Sequence, residues 1–143
     1  MGRRYWGRTL IVVDASAIIA MLFGEPPAAA LANRLSRDTD RFISVASYLE
    51  AGTVLAGRRR SDRINAIDDL DAFLAEAEIF LAPVDEAQAR LALRARIVYG
   101  RGMGHGGSLN FGDTFSYALA KSLNCPLLFV GDDFTATEIV SAL

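Results

Sequence analysis

The chain has 143 residues, 52% of them hydrophobic and 22% charged, with a formal net charge of −2. That length fits one domain, and that apolar content excludes a disordered chain. A single cysteine, Cys125, and a single histidine, His105, exclude an internal disulfide and a Cys-rich zinc site and argue against a Ser-His-Asp triad, so a metal here has to sit on carboxylates. No apolar run reaches the roughly 18 residues needed to span a bilayer.

Met1–Thr9 is basic, holds the only tryptophan and lacks the apolar core of a signal peptide. It reads as an extension, residues 1–9, ahead of one domain over residues 10–143, and the protein is expected in the cytoplasm. Leu10–Val13 is an unbroken apolar run, the pattern of a strand buried on both faces of a parallel sheet. Asp14 ends it, and a short buried helix follows over Ala17–Phe23, stopped by Gly24 and the Pro26-Pro27 pair. Pro27–Leu35 has helical composition. Arg41–Ser44 is a second strand, and Val45–Ala56 a helix with Val45, Leu49 and Gly52 or Thr53 on one stripe. Ser61–Ala77 is a helix marked by Ile64, Ile67, Leu70 and Leu74.

Ile79–Ala82 is a third strand. Asp85-x-x-Gln88 is a capping box opening a helix that runs to about Tyr99. Gly100–Ser108 is a glycine-rich loop carrying His105, read as an exposed residue rather than a catalytic imidazole. Asn110–Leu123 is a helix with Phe115, Leu119 and Leu123 at helical spacing. Pro126–Val130 is a fourth strand, and Thr135–Ala142 is expected to be a last helix. Cys125 is expected to pack at the start of the fourth strand. Strands alternating with helices specify an α/β fold, a mostly parallel sheet with right-handed crossovers.

Ligands of an open parallel sheet bind beyond the C-terminal ends of its strands. Acidic residues fall there repeatedly. Asp14 follows the first strand, and Asp132 and Asp133 follow the fourth. Glu50 lies a turn into the helix after the second strand, and Asp113 in the first turn after the glycine-rich loop. Each has an ordinary reading too: Asp14, Asp132 and Asp133 as helix caps, Ser47-x-x-Glu50 as a capping box with Ser44 competing, Asp113 as a helix-start acid. Together they are harder to dismiss. Two carboxylates about 4 Å apart repel by roughly 4 kcal/mol at an effective dielectric of 20. A cation or a raised pKa has to relieve this, and Mg²⁺ or Mn²⁺ suits an all-oxygen donor set. Ser16 sets a hydroxyl beside Asp14, and Asp113-Thr114 opens a helix whose N–H groups suit a phosphate.

Every basic residue but Lys121 is an arginine, the side chain suited to bidentate phosphate contact. The near-balanced charge argues against broad coating of nucleic acid, not against local contact. Arg58, Arg59, Arg60 and Arg63 form the densest basic cluster, read equally as a solvated helix end. Tyr48, Phe111 and Tyr117 are candidates for stacking on nucleic-acid bases, with core packing or dimer contact the more ordinary reading.

Val12-Val13-Asp14-Ala15-Ser16-Ala17, Ser47-Tyr48-Leu49-Glu50, the run Asn110–Ala120 and the run Leu127–Phe134 together resemble a PIN domain, most closely a VapC-type ribonuclease toxin of a bacterial toxin–antitoxin pair. The resemblance begins at about Leu10. It implies a three-layer α/β/α sandwich and Mg²⁺- or Mn²⁺-dependent endonuclease activity on RNA, often tRNA or rRNA. It maps the acidic set onto Asp14, Glu50, Asp113 and either Asp132 or Asp133, with Asp14 and Asp113 as principal metal ligands. It also implies a homodimer and a VapB-like antitoxin whose C-terminal segment inserts beside the acidic pocket. The apolar stretch Ala46–Ala56 suits either surface. Two rivals stand beside this reading. One is a magnesium-dependent phosphotransferase or phosphatase with Asp14 as phosphoryl acceptor, although Ser16 stands where such phosphatases want a second Asp. The other is a non-catalytic module whose acidic pocket seats a basic partner.

Overall fold

A computed structural model describes residues 4–5 and 7–143. Of the basic extension, residues 1–3 and 6 lie outside the described residues. Strand β1 (Arg4–Tyr5) pairs antiparallel with the start of β2 (Arg8–Val13), Arg4 opposite Thr9 and Tyr5 opposite Arg8. Helices α1 (Ala15–Leu22) and α2 (Ala28–Leu35) follow, then β3 (Asp40–Ser44), α3 (Val45–Arg58) and α4 (Arg63–Glu76). The chain continues through β4 (Ile79–Ala82), α5 (Glu86–Tyr99), α6 (Asp113–Leu123) and β5 (Leu127–Leu128). Strands β5, β2, β3 and β4 lie side by side in that order, all parallel.

The apolar run of β2 is unbroken because both faces of the sheet are covered. Ile11 and Val13 point into one core with Ile43, Leu128 and residues of α1 to α4. Val12 points into the other, with Leu127, Ala95 of α5 and Leu119 of α6. The result is the expected α/β/α sandwich. Its register brings Asp14 to the mouth of the sheet: Val13 lies opposite Leu128, and the next amide, Asp14 N, donates to Leu128 O at 2.9 Å.

Helix α3 turns a different face inward than its large side chains suggest, and α4 buries only the leucines of its expected stripe. On α3 the buried residues are Ser47, Ala51 and Leu55, while Leu49 is 68% exposed. On α4 they are Ala66, Leu70 and Leu74, with Ile64 and Ile67 outside. Small residues let α3 and α4 approach each other closely, and Gly52 lies where a Cβ would come 3.3 Å from Leu70. Between these helices the outward stripe forms an apolar cleft of about 460 Å³, lined by Leu49, Gly52 and Ile67 among others.

The expected helix over Thr135–Ala142 is not formed. The segment runs in turns and ends in a parallel bridge, Ser141 opposite Leu127. Hydroxyls compete for the backbone here: Thr135 Oγ1 donates to Asp132 O at 2.8 Å and Thr137 Oγ1 to Phe134 O at 2.7 Å. Leu127 N then donates to Val140 O, and Ala142 N to Leu127 O. Glu138 fastens the segment from outside, accepting from Tyr99 Oη (2.8 Å), Tyr117 Oη and Lys121 Nζ (2.7 Å). Burial works to raise the Glu138 carboxyl, but the Lys121 ammonium and the tyrosine hydroxyls win and hold it at about 2. Arg34 Nε closes the far end on Ala142 O at 2.7 Å. Asp85 caps α5 by accepting from Gln88 N at 2.8 Å, but only half of the capping box forms, because Gln88 Nε2 turns to Pro83 O. Cys125 is buried, as expected of a free thiol beside a strand.

Candidate active site

Asp14 is both the N-cap of α1 and the centre of the site. It is 4% exposed. Its Oδ2 accepts from Ser16 N (3.0 Å) and Ser16 Oγ (2.6 Å), and its Oδ1 from Ser116 Oγ (2.5 Å). Ser16 Oγ also accepts from Val130 N at 3.0 Å, which ties the cap to the segment after β5. The capping and functional readings of Asp14 are therefore one arrangement: the cap fixes the carboxylate where the strands end.

Asp113 is held by a reciprocal pair. Its amide donates to Asn110 Oδ1 at 2.8 Å, and its Oδ2 accepts from Asn110 N at 3.0 Å. The Asp113 carboxyl is pushed up to about 7. Burial is the largest cause; the Asn110 N–H pulls it down, and the charges of Asp14, Asp133 and Glu50 push it up. Glu50, one turn into α3, is also raised, by burial and by the Asp14 charge. Ser44 caps α3 by accepting from Ala46 N at 3.3 Å, which leaves Ser47 free of the capping-box role.

Four segments thus bring Asp14, Glu50 and Asp133 within electrostatic reach of Asp113. Asp133 is half-buried and lies 3.9 Å from the Arg101 guanidinium. Its neighbour Asp132 is exposed, and its carbonyl accepts from Thr135. With no helix after them, neither acid is a cap. Thr114 is buried, and its hydroxyl donates to Phe111 O at 2.6 Å rather than to the acids. Spacing marks Ser47 only as a capping-box residue and does not single out Ser116, although each is a hydroxyl one turn from an acid, three residues before Glu50 and three after Asp113.

Among the described residues, no three His, Cys, Asp or Glu side chains close up into a ready-made metal cluster. Hydroxyls occupy both Asp14 oxygens. The donors are nonetheless all oxygens, and two of them, Asp113 and Glu50, are raised by burial and by neighbouring carboxylates. That chemistry fits a divalent cation that prefers oxygen.

The rim is apolar. Phe111 is 74% exposed and packs edge-on against Phe115, ring centroids 5.1 Å apart. Tyr117 is buried and Tyr48 donates to Asp71 Oδ1 at 2.7 Å, so Phe111 is the aromatic of the three left facing solvent. A Cβ on Gly112 would run into the Glu50 carboxylate, 2.9 Å from its Cδ. Gly112→Ala should therefore displace Glu50, lower RNA cleavage about tenfold and leave the melting temperature within a few degrees, as cleavage rates and a thermal melt will show.

The fold and this acidic mouth define a PIN domain, and the family pattern, described as "PIN domain", matches residues 11–140. The chain belongs to that family. Ribonuclease VapC28 of Mycobacterium tuberculosis is 48% identical over 133 residues, 93% of this chain and 98% of that protein. Ribonuclease VapC of Mycolicibacterium smegmatis is 40% identical over 131 residues, 92% and 98% of the two chains. Among solved structures, the fold matches VapBC2 from Rickettsia felis bound to a DNA fragment from their promoter, at a TM-score of 0.70 and 12% identity. That match covers 93% of this chain and 96% of the other. It also matches M. tuberculosis VapC20, described as a Sarcin-Ricin loop cleaving toxin, at a TM-score of 0.68 and 18% identity, over 91% and 96%.

Proposed function

We propose that this protein is a divalent-metal-dependent endoribonuclease toxin whose acidic site is Asp14, Glu50, Asp113 and Asp133. The observation that carries the reading is the delivery of four carboxylates, from four separate segments, to one end of a parallel sheet. Ribonuclease activity is the activity named for its VapC relatives. Asp14 and Asp113, with Glu50 and Asp133 beside them, would hold Mg²⁺ or Mn²⁺, which would supply charge neutralisation at the scissile phosphate and activation of water. Ser16 and Ser116 orient Asp14, and the Asn110 pair orients Asp113. Asp133 rather than Asp132 serves as the fourth acid, because its charge is the one from that segment that reaches Asp113. The exposed Arg101 guanidinium beside it suits a phosphate of the RNA chain. Residues 10–143 make up the nuclease domain, and residues 1–9 a basic arm on it.

The substrate is RNA, of the tRNA or rRNA class, and the setting is the cytoplasm. Among the described residues no helix is long and apolar enough to cross a membrane. The partner that restrains the enzyme is a VapB-like antitoxin, as the VapBC pairing of a structural neighbour suggests. The outward stripe of α3 beside the acids, with Leu49 and Phe111 exposed, suits that partner or a second copy of the chain. The phosphotransferase rival loses its support, since the relatives that match nearly the whole chain are named ribonucleases.

Chelation tests the metal requirement. Purified protein stripped with EDTA should leave total RNA intact, and adding back Mg²⁺ or Mn²⁺ should restore cleavage by at least about a hundredfold. Undiminished cleavage in EDTA would overturn the metal-dependent reading.

A further inference from the structure

The buried hydroxyls of Ser116 and Ser47 join the three segments that carry the first three acids. Ser116 is fully buried, and its Oγ lies 2.5 Å from Asp14 Oδ1. Ser47, also fully buried, places its Oγ 2.9 Å from Ser116 Oγ. Proton counting fixes the direction of this chain. A carboxylate accepts only, so the single Ser116 hydroxyl proton goes to Asp14. Ser116 then has lone pairs and no further proton, so Ser47 donates to Ser116. Ser47 sits one turn before Glu50 on α3, and Ser116 one turn after Asp113 on α6. The relay therefore runs from the Glu50 helix, through the Asp113 helix, to the Asp14 carboxylate.

We propose that Ser116, itself oriented by Ser47, is a positioning residue that fixes the Asp14 carboxylate and so sets the affinity of the acidic site for its divalent cation. This rests on the metal-dependent reading above. The packing gives no other reason for the two hydroxyls: both helix faces are otherwise apolar and small, with Ala51 and Leu55 along α3 and Ala120 along α6 buried beside them. Alanine would fit in either place. A hydroxyl earns its position only through the hydrogen bond it makes, since a buried hydroxyl without a partner is costly. Groups that orient a metal-binding side chain typically change metal affinity 10- to 100-fold when removed.

The test is Mn²⁺ binding, measured by titration calorimetry on the full chain, with RNA cleavage followed across Mn²⁺ concentration. Ser116→Ala should weaken Mn²⁺ binding about tenfold or more and shift the Mn²⁺ needed for half-maximal cleavage by the same factor. Cleavage at saturating Mn²⁺ should return to within about threefold of the parent. Ser47→Ala keeps the Ser116–Asp14 bond and should show a smaller weakening, and the double variant should show less than the product of the two effects, because they act in series. A purely structural role would instead lower the metal-free melting temperature and leave the affinity for Mn²⁺ unchanged. Unchanged Mn²⁺ affinity in Ser116→Ala overturns the proposal; should that variant not fold, unchanged affinity in Ser47→Ala overturns it equally. Asp14→Asn separates the two readings. If it binds Mn²⁺ as the parent does, the metal site itself is wrong; if it loses binding while both serine variants keep it, only the relay is wrong.

Discussion

Asp14→Asn should lower RNA cleavage by at least about a hundredfold at neutral pH, with the fold retained. Asn has the shape of Asp but loses the charge and turns one acceptor into a donor. At this position three donors, Ser16 N, Ser16 Oγ and Ser116 Oγ, converge on two oxygens, so an amide nitrogen in place of one oxygen forces a serine hydroxyl to turn its proton away and accept instead. A hundredfold in rate corresponds to about 2.7 kcal/mol of lost transition-state stabilisation, within the several kcal/mol that a cation at a scissile phosphate supplies. End-point mapping on total RNA, with a thermal melt as the check on folding, reads out the result. Cleavage at the parental rate would remove Asp14 from the active site.

Without metal, the protein should lose stability as the pH rises from about 4 to about 7. The folded state holds the Asp113 carboxyl at about 7 against an ordinary value of 3.8. Below 3.8 the group is protonated whether the chain is folded or not, and contributes nothing. Between the two values the folded state binds more protons than the unfolded one, so stability falls with pH, and above about 7 the full cost is present. Such a difference corresponds to roughly 4 kcal/mol at most. Glu50, raised for the same reasons, acts in the same direction. Denaturant melts of chelated protein at pH 5 and pH 7.5 should therefore show the acid sample to be the more stable. Asp113→Asn should flatten the difference, and Mg²⁺ or Mn²⁺ should restore the neutral sample. A chelated protein that gains stability over this range would show that the acids do not repel one another as described.

Much of this was legible before the structure because the informative signals were local. An unbroken apolar run that ends in Asp reads as a buried parallel strand wherever it occurs, and β2 is that. The acids after each strand could be placed at one end of the sheet by topology alone. What was not legible depended on which helix face turns inward. The isoleucines of α4 and Leu49 of α3 suggested a buried stripe, yet the close approach of these helices selects the small residues Ala66 and Ala51 for the inside. Thr135–Ala142 misled for a related reason: its composition tolerates a helix, but two threonine hydroxyls and the edge of Leu127 offer the backbone other partners. The proposal of Asp133 over Asp132 as the fourth acid rests on that conformation, and no spacing rule contains it.

The way the last stretch of chain is fastened has a genetic corollary. Asp133 and the buried Phe134 arrive on a strap that Glu138 and Ala142 pin to α5, α6 and α2, and Leu127 relies on Val140 and Ala142 for its outer hydrogen bonds. Premature stop codons falling just before this strap would remove an acid and uncover a strand in one event. Cells selected to survive an unrestrained copy should therefore yield truncations in the codons of this segment as well as substitutions at the proposed acids.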